Sequence, residues 1–325
     1  MWIYNYLKGR HQRIVVFPDT SGPISCSKGV PQGSVLGPLL FNSSVADLSS
    51  IAEKQDTILP SFADVMTLYC SDKSPISACQ RVSKSLDVLA EVLSTIGLSI
   101  TMEKTVGMLI RPRSLRQSPL DPAAAVSCGG LFVEMVTSTR LLGVIVDDAL
   151  SWAAHVDHVC TKVGRKIGAL RRSYRQLSCD ARRLFLLSVI QPDLEYAACV
   201  TVPTMSGVLK DRLLSVWRKA VRCASGAKWQ DAVPPLVDKL RITPISHRWL
   251  LQYVKVIRRC HSNCAPLPLS NKLDMTSHCY HTRPAALLIR LLSFFNLLLV
   301  IRLYSSFSLF HRHWSSYSIF LVGAL

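Results

Sequence analysis

Asp64 sits between two short apolar arms, Ile58-Leu59 with Phe62 on one side and Met66, Leu68 and Tyr69 on the other. A carboxylate at the tip of an apolar hairpin is costly to desolvate, so it either binds a cation or faces water. An ordinary turn aspartate is the plain alternative. The stretch Gly29 to Phe41 reads G-V-P-Q-G-S-V-L-G-P-L-L-F, with Gly29, Gly33, Gly37, Pro31 and Pro38 ahead of an apolar run. Glycine permits close backbone approach and proline stiffens it, so the polar atoms of Gln32 and Ser34 are expected to face a ligand. A phosphate cradle of the Walker type needs Lys and then Ser or Thr after its last glycine. Val35 and Leu36 follow Ser34 here, so that chemistry is excluded, and a turn leading into a core helix is the alternative. Lys104, in Glu103-Lys104-Thr105, falls at a turn beside a sheet, where a solvated lysine is the plain reading. Cys260, Cys264, His278, Cys279 and His281 are zinc-type ligands, but their gaps fit no tight knuckle.

These residues need elements to hold them. Trp2 to Lys8 suits the end of a helix, and Arg13 to Phe17 suits a strand that returns through the turn Asp19 to Pro23 as Ile24 to Ser27. That hairpin delivers the glycine loop, and apolar spacing from Pro38 to Ala52 continues it as a helix. Ser74-Pro75 is an N-cap followed by proline at the first helical position. From there Ile76, Cys79, Val82, Leu86, Leu89 and Leu93 repeat at helical steps until Gly97. Leu98 to Met102 and Val106 to Ile110 read as strands flanking Lys104. Helix between strands implies a mixed α/β layer.

After a proline-rich, arginine-rich stretch from Arg111 to Ala125 come two strands, Leu131 to Val136 and Leu141 to Val146. The pattern then turns helical. Trp152, Val156, Val159, Val163, Ile167 and Leu170 form one stripe, with Lys162, Arg165, Lys166, Arg171, Arg172 and Arg175 on the other faces. Further helices are expected at Cys179 to Ile190, at Leu209 to Ala224 with Trp217 inward, and at Ile245 to Arg259.

The chain of 325 residues carries a formal charge of +17 yet is 49% hydrophobic, which describes a folded protein with a basic surface. Such a field favours polyanions, nucleic acid first and an anionic membrane second. The 11 cysteines are an odd number scattered through helices and strands, and no cleavable leader precedes them; they read as reduced thiols of an intracellular protein, in cytoplasm or nucleus. From His278 onward there is no acidic residue. There Leu291 to Ile301 reads as an apolar run half the length of a membrane span, closed by Arg290 and Arg302. A basic interfacial helix or an unselected extension is expected in preference to a span.

Together these pieces resemble the palm and thumb of a reverse transcriptase of the non-LTR, LINE-type and Jockey-like group. Gly29 to Phe41 carries the resemblance almost residue for residue, followed by Phe62-Ala63-Asp64-Val65, Gly97-Leu98 to Lys104-Thr105, Leu141-Leu142-Gly143-Val144 with Asp147, Leu150-Ser151-Trp152 with His155, and Pro192 with Tyr196. The resemblance implies an α+β fold, a partial palm of antiparallel sheet and helices followed by an all-α thumb. Its divisions are a palm at 1–112, a linker and strand pair at 113–150, a basic helical thumb at 151–265, and a hydrophobic, basic tail at 266–325. It implies an RNA-directed DNA polymerase with RNA template, DNA primer and deoxynucleotide as partners, and membrane contact only through the tail. Pro31, Gln32, Gly33 and Ser34 would lie against template and nucleotide, Lys104 near the leaving phosphates, and Lys162, Arg165, Lys166, Arg171 and Arg172 on the nucleic-acid backbone. Asp64 would be a catalytic carboxylate and a ligand of Mg²⁺. In the family a second hairpin aspartate follows it, and another comes from a strand upstream of the glycine loop. Here Val65 stands in the second position and the upstream strand is not in this chain, so a truncated, inactive domain is expected.

Overall fold

The structure is a computed structural model, and it describes residues 2–26, 29–111, 123–261 and 317–324. The fold is mixed helix and sheet, as the α+β reading expects. It divides into two compact units, one comprising residues up to Thr137 together with the strand Tyr317–Ala324, the other running from Ser138.

In the first unit, helix α1 (Trp2–Leu7) precedes a two-tier ribbon. Strand β1 (Arg10–Gln12) pairs with β4 (Ile24–Cys26), and β2 (Val15–Val16) pairs with β3 (Asp19–Thr20). The expected single hairpin of Arg13 to Phe17 with Ile24 to Ser27 is therefore replaced, and Asp19-Thr20 is strand where a turn was expected. Ser21 causes the change: its backbone N–H donates to Ile14 O and its hydroxyl accepts from Ile14 N–H, each at 2.9 Å, which closes the upper tier onto itself. The helix after the glycine loop is broken into α2 (Gly37–Val45) and α3 (Leu48–Glu53) at Ala46-Asp47.

Strand β5 (Ser61–Phe62) turns through Ala63-Asp64 into β6 (Val65–Asp72), as the alternation implies. Helix α4 (Pro75–Thr95) begins at Ser74, whose hydroxyl accepts from Ser77 N–H, and buries Cys79, Val82, Leu86, Leu89 and Leu93. Leu98 to Met102 is not a strand. Gly97 at φ +78° ends α4, and Thr101 O then accepts from both Lys104 N–H (3.1 Å) and the Thr105 hydroxyl (2.9 Å), which coils Met102–Lys104 into a 3₁₀ turn. Strand β7 (Val106–Ile110) follows as expected. Residues 131–136 split into β9 (Leu131–Phe132), paired with β8 (Ser127–Cys128), and β10 (Glu134–Met135), parallel to β7. The main sheet has five strands, with Tyr317–Ala324 at its centre, antiparallel to β6 and β7. Alpha-4 packs on that sheet over a core including Leu68, Leu86, Leu109, Ile319 and Leu321.

The second unit opens with the hairpin β11 (Ser138–Leu141) and β12 (Val144–Asp147), tighter than the expected pairing of 131–136 with 141–146. Helix α5 (Ala153–Arg172) buries the stripe Trp152, Val156, Val159, Val163 and Leu170. The next helical stretch continues past Ile190: α6 (Cys179–Phe185), a π turn at Leu186–Ile190, and α7 (Gln191–Glu195). Pro192 lacks the N–H that regular α pitch would use, and the wide turn before it absorbs the mismatch. Helices α8 (Ala198–Thr204), α9 (Gly207–Ser225), α10 (Val233–Lys239) and α11 (Ile245–His261) complete the unit. Trp217 points inward as expected.

The eight described cysteines are all unpaired. Burial pushes the Cys79 thiol up to about 11, so it behaves as an inert apolar side chain. No single described helix is long and apolar enough to cross a membrane, though the bent pair Cys179–Glu195 and Ala198–Thr204 passes by length and composition. The run Leu291 to Ile301 and the set Cys260, Cys264, His278, Cys279 and His281 lie outside what is described, apart from the backbone of Cys260.

Candidate functional site

The glycine loop is knitted by its own serine. The Ser34 hydroxyl donates to Pro31 O at 2.8 Å and accepts from Gly37 N–H at 3.0 Å, so it fixes the turn and the start of α2. A Cβ at Gly37 would lie 3.0 Å from that hydroxyl oxygen and 3.3 Å from Pro31 O, which explains the third glycine by crowding. Gly29 and Gly33 have open space around them and are instead demanded by φ near +74°. Arg10 ties the loop to the ribbon by donating to Gly29 O at 2.5 Å. Ser34 thus spends its hydroxyl inside the loop, Pro31 is half-buried, and Gln32 and Gly33 are left exposed on its outer surface.

Asp64 is exposed at the turn of the β5–β6 hairpin. Ala63 before it takes φ +52°, in a two-residue turn between the paired Phe62 and Val65. A hairpin turn with positive φ at its first central residue normally carries glycine there. Val65 pairs with Ala324, and Thr67 with Val322, which pairs in turn with Val106. Lys104, two residues before Val106, therefore falls at the end of the sheet where Val65 and Asp64 lie, across the intervening strand Tyr317–Ala324. Two strand spacings make that separation about 10 Å. The lysine is exposed, at the end of the 3₁₀ turn.

Glu134 pairs with Val106 on the far side of β7, three spacings and about 14 Å from the row of β6. Paired magnesium ions sit roughly 3.5–4 Å apart and need several converging hard oxygens. Among the described residues no three His, Cys, Asp or Glu converge, and Val65 contributes no oxygen beside Asp64. This donor set does not fit a magnesium pair.

In the second unit the five basic residues of α5 divide into two groups. Lys162 and Lys166 both reach Asp193, at 3.1 and 2.6 Å, and Lys166 also donates to Val189 O at 2.7 Å. They anchor α5 to the helix carrying Asp193. Arg165, Arg171 and Arg172 are exposed and have no ion-pair partner among the described residues.

The motif residues of the second hairpin act structurally. Asp147 accepts from the backbone N–H groups of Ala149 (3.0 Å), Ser151 (2.9 Å) and Trp152 (3.0 Å) and from the Ser151 hydroxyl (3.1 Å). It thereby holds Leu150 and Trp152 at positive φ on entry to α5. Trp152 donates its indole N–H to Thr204 at 2.7 Å, and buried His155 accepts from Ile145 N–H at 3.4 Å. Burial, with His158 as the lesser cause, holds the His155 pKa below its ordinary value. Tyr196 donates its hydroxyl to Leu142 O at 2.5 Å and lies against Gly143, where a Cβ would meet its ring at 3.3 Å. The sequence pattern left Lys219, Arg222 and Trp229 unmarked; the i, i+3 spacing of the two cations on α9 is its one signal for them.

Residues 1–146 match the family model described as reverse transcriptase (RNA-dependent DNA polymerase). The RNA-directed DNA polymerase from mobile element jockey of Drosophila melanogaster is 26% identical over 250 residues, 71% of this chain and 26% of that protein. Its counterpart from Drosophila funebris is 26% identical over 258 residues, 74% of this chain and 27% of that protein. The retrovirus-related Pol polyprotein from type-1 retrotransposable element R1 2 of Nasonia vitripennis is 24% identical over 173 residues, 52% of this chain and 42% of that protein. The chain spans about a quarter of the length of the jockey relatives. No solved structure matches it. The glycine loop, the hairpin aspartate and the turn lysine all lie within residues 1–146, the segment that is similar to reverse transcriptase domains of the jockey and R1 elements.

Proposed function

We propose that this chain is a template- and primer-binding part of such a domain, with its first unit as a partial palm and its second as a thumb-like body. The observation that carries this reading is the strand register, which brings Asp64 and Lys104 to one end of the same sheet although they are distant in sequence. Gln32 and Gly33 would meet template base and incoming deoxynucleotide, with Pro31 and Ser34 shaping the loop behind them. Lys104 would neutralise nucleotide phosphates. Arg165, Arg171 and Arg172 would meet the nucleic-acid backbone, while Lys162 and Lys166 reach it only by releasing Asp193.

Reverse transcriptases use divalent metal ions, which supply charge stabilisation at the transferred phosphoryl group. Val65 stands beside Asp64 and no donor set converges among the described residues, so we infer binding without nucleotidyl transfer. A second reading, a nucleic-acid-binding module with no chemistry, is favoured by that same donor set. Both readings share a test. An RNA template with an annealed DNA primer is offered to the chain with deoxynucleotides and Mg²⁺ or Mn²⁺, and binding and extension are measured separately. Binding is expected to weaken steeply with salt, as condensed counterions are released. Primer extension is expected to be absent; extension would overturn the inferred inactivity, and a flat salt dependence would overturn the binding reading.

A further inference from the structure

Within the second unit, the C-terminal end of α5 and the loop after α9 enclose a cleft of about 780 Å³. Arg171, Arg172, Arg175, Lys219, Arg222 and Trp229 line it, with no carboxylate among the lining residues. Arg171, Arg172, Arg175 and Lys219 have no ion-pair partner among the described residues. Five guanidinium and ammonium groups around one concavity repel one another, and a bound polyanion would relieve that repulsion.

Trp229 gives the cleft a second kind of contact. Its ring lies 5.2 Å from the Arg222 guanidinium and 5.6 Å from the Lys219 ammonium, yet its residue is 67% exposed. The cations therefore leave much of the indole free for another flat group. Its loop is held in place: Lys228 N–H donates to the Asp231 carboxylate at 2.7 Å, Asp231 N–H to Lys228 O at 3.2 Å, and the Arg222 Nε–H to Asp231 O at 3.0 Å. Gly226 lies so close to the Tyr174 hydroxyl that any Cβ there would overlap it, and its φ of +75° turns the chain back toward the cleft. The tryptophan is thus presented on a closed turn, with little ordering left to be done on binding.

We propose that this cleft binds a single-stranded segment of nucleic acid, with one base stacked on Trp229 and the flanking phosphates on Arg171, Arg172 and Arg175. The proposal rests on the nucleic-acid-binding reading above and adds where an unpaired stretch is held. A base can lie on an aromatic ring only when out of its own stack, which favours a single strand over a duplex. A concave site with a single exposed ring suits this ligand better than a flat lipid surface, which calls for a broad apolar face.

The test uses the full chain and a fluorescein-labelled thymidine oligonucleotide of about 12 residues, within the range one such groove covers. Anisotropy titrations are run over a series of salt concentrations. Trp229→Ala is expected to weaken binding about tenfold or more, and Trp229→Phe to keep most of the affinity. The triple variant Arg171→Gln, Arg172→Gln, Arg175→Gln should reduce the slope of log affinity against log salt by about 2, from roughly 0.7 per phosphate contact. A blunt RNA–DNA duplex should bind wild type and Trp229→Ala equally. If the chain binds the duplex with steep salt dependence while Trp229→Ala leaves oligonucleotide affinity unchanged, the cleft proposal fails and the broader reading stands. If neither nucleic acid binds, both fail. Phosphatidylserine vesicles that bind through Trp229 where the oligonucleotide does not would overturn the proposal in favour of a membrane. Because Trp229 lies on the surface, its variants are expected to keep the wild-type circular dichroism spectrum.

Discussion

Replacing Asp147 by alanine separates a structural motif from a chemical one. Its carboxylate gathers four donors at the entry to α5, and the N–H groups of Ala149 and Trp152 lie partly buried. Losing an ordinary N-cap costs about 0.5–2 kcal/mol. Each partly buried donor left without its charged acceptor adds about 1 kcal/mol, whereas the exposed Ser151 donors turn to water at little cost. Leu150 and Trp152 are also held at positive φ, a conformation disfavoured by roughly 1–2 kcal/mol for side chains of their size, and they lose their restraint. The sum is a loss of about 2.5–4 kcal/mol from the second unit, with Asp147→Asn recovering about half through its single carbonyl oxygen. The assay is urea unfolding followed by the near-ultraviolet signal of the buried Trp152, Trp217 and Trp249, compared by midpoint at constant slope. A change below about 0.5 kcal/mol would refute the reasoning. Unchanged stability with lost nucleic-acid binding would refute it in a different way, by making Asp147 a ligand contact.

Ala63→Gly is expected to stabilise the first unit by up to about 1 kcal/mol, because a β-carbon at φ +52° is strained and glycine is not, less the extra chain entropy of glycine; a thermal melt with a lowered midpoint would contradict this. His155 has its folded pKa depressed by burial, so the unfolded chain binds the proton more readily. The stability this histidine contributes is complete above its ordinary value of 6.5 and is lost as pH falls toward the folded pKa. Denaturant midpoints measured from pH 8 down to pH 5 should fall more steeply in wild type than in His155→Gln, in which an amide oxygen can still accept from Ile145; parallel curves would exclude the histidine as the cause.

Long amphipathic helices were legible because their apolar stripes repeat and their caps are local. Alpha-4 starts at Ser74 and α5 buries the stripe from Trp152 to Leu170, both as the pattern implies. The hairpin around Asp64 was legible for the same reason, since alternation and turn lie within a few residues. Departures came where a single side chain diverted the backbone. Ser21 closed a second tier on the ribbon, and the Thr105 hydroxyl, bonded back to Thr101 O, coiled a stretch that has the composition of a strand. In the site, Gln32 and Asp64 are both exposed, though composition left Asp64 open between a cation and water. That Ser34 serves the loop itself, and that Asp193 engages Lys162 and Lys166, depends on geometry no spacing rule encodes. Trp229 was illegible because its cleft is assembled from helices far apart in the chain.

The central strand of the main sheet shows why the site depends on distant sequence. Beta-6 is hydrogen-bonded to β5 on one side and β7 to β10 on the other, and among the described residues only Tyr317–Ala324 joins the two halves. Eight residue pairs link it to β6 and five to β7. Its Ile319 and Leu321 are buried in the core that α4 covers, and Gly323 passes so close to Thr105 that a Cβ would lie 2.8 Å from the threonine hydroxyl oxygen. Two-stranded ribbons as short as the remaining halves have little independent stability in water. Without this strand, Asp64 and Lys104 would therefore sit on separate, unstable ribbons. The shared sheet end that supports the polymerase-like reading is a property of residues 65–110 and 317–324 together.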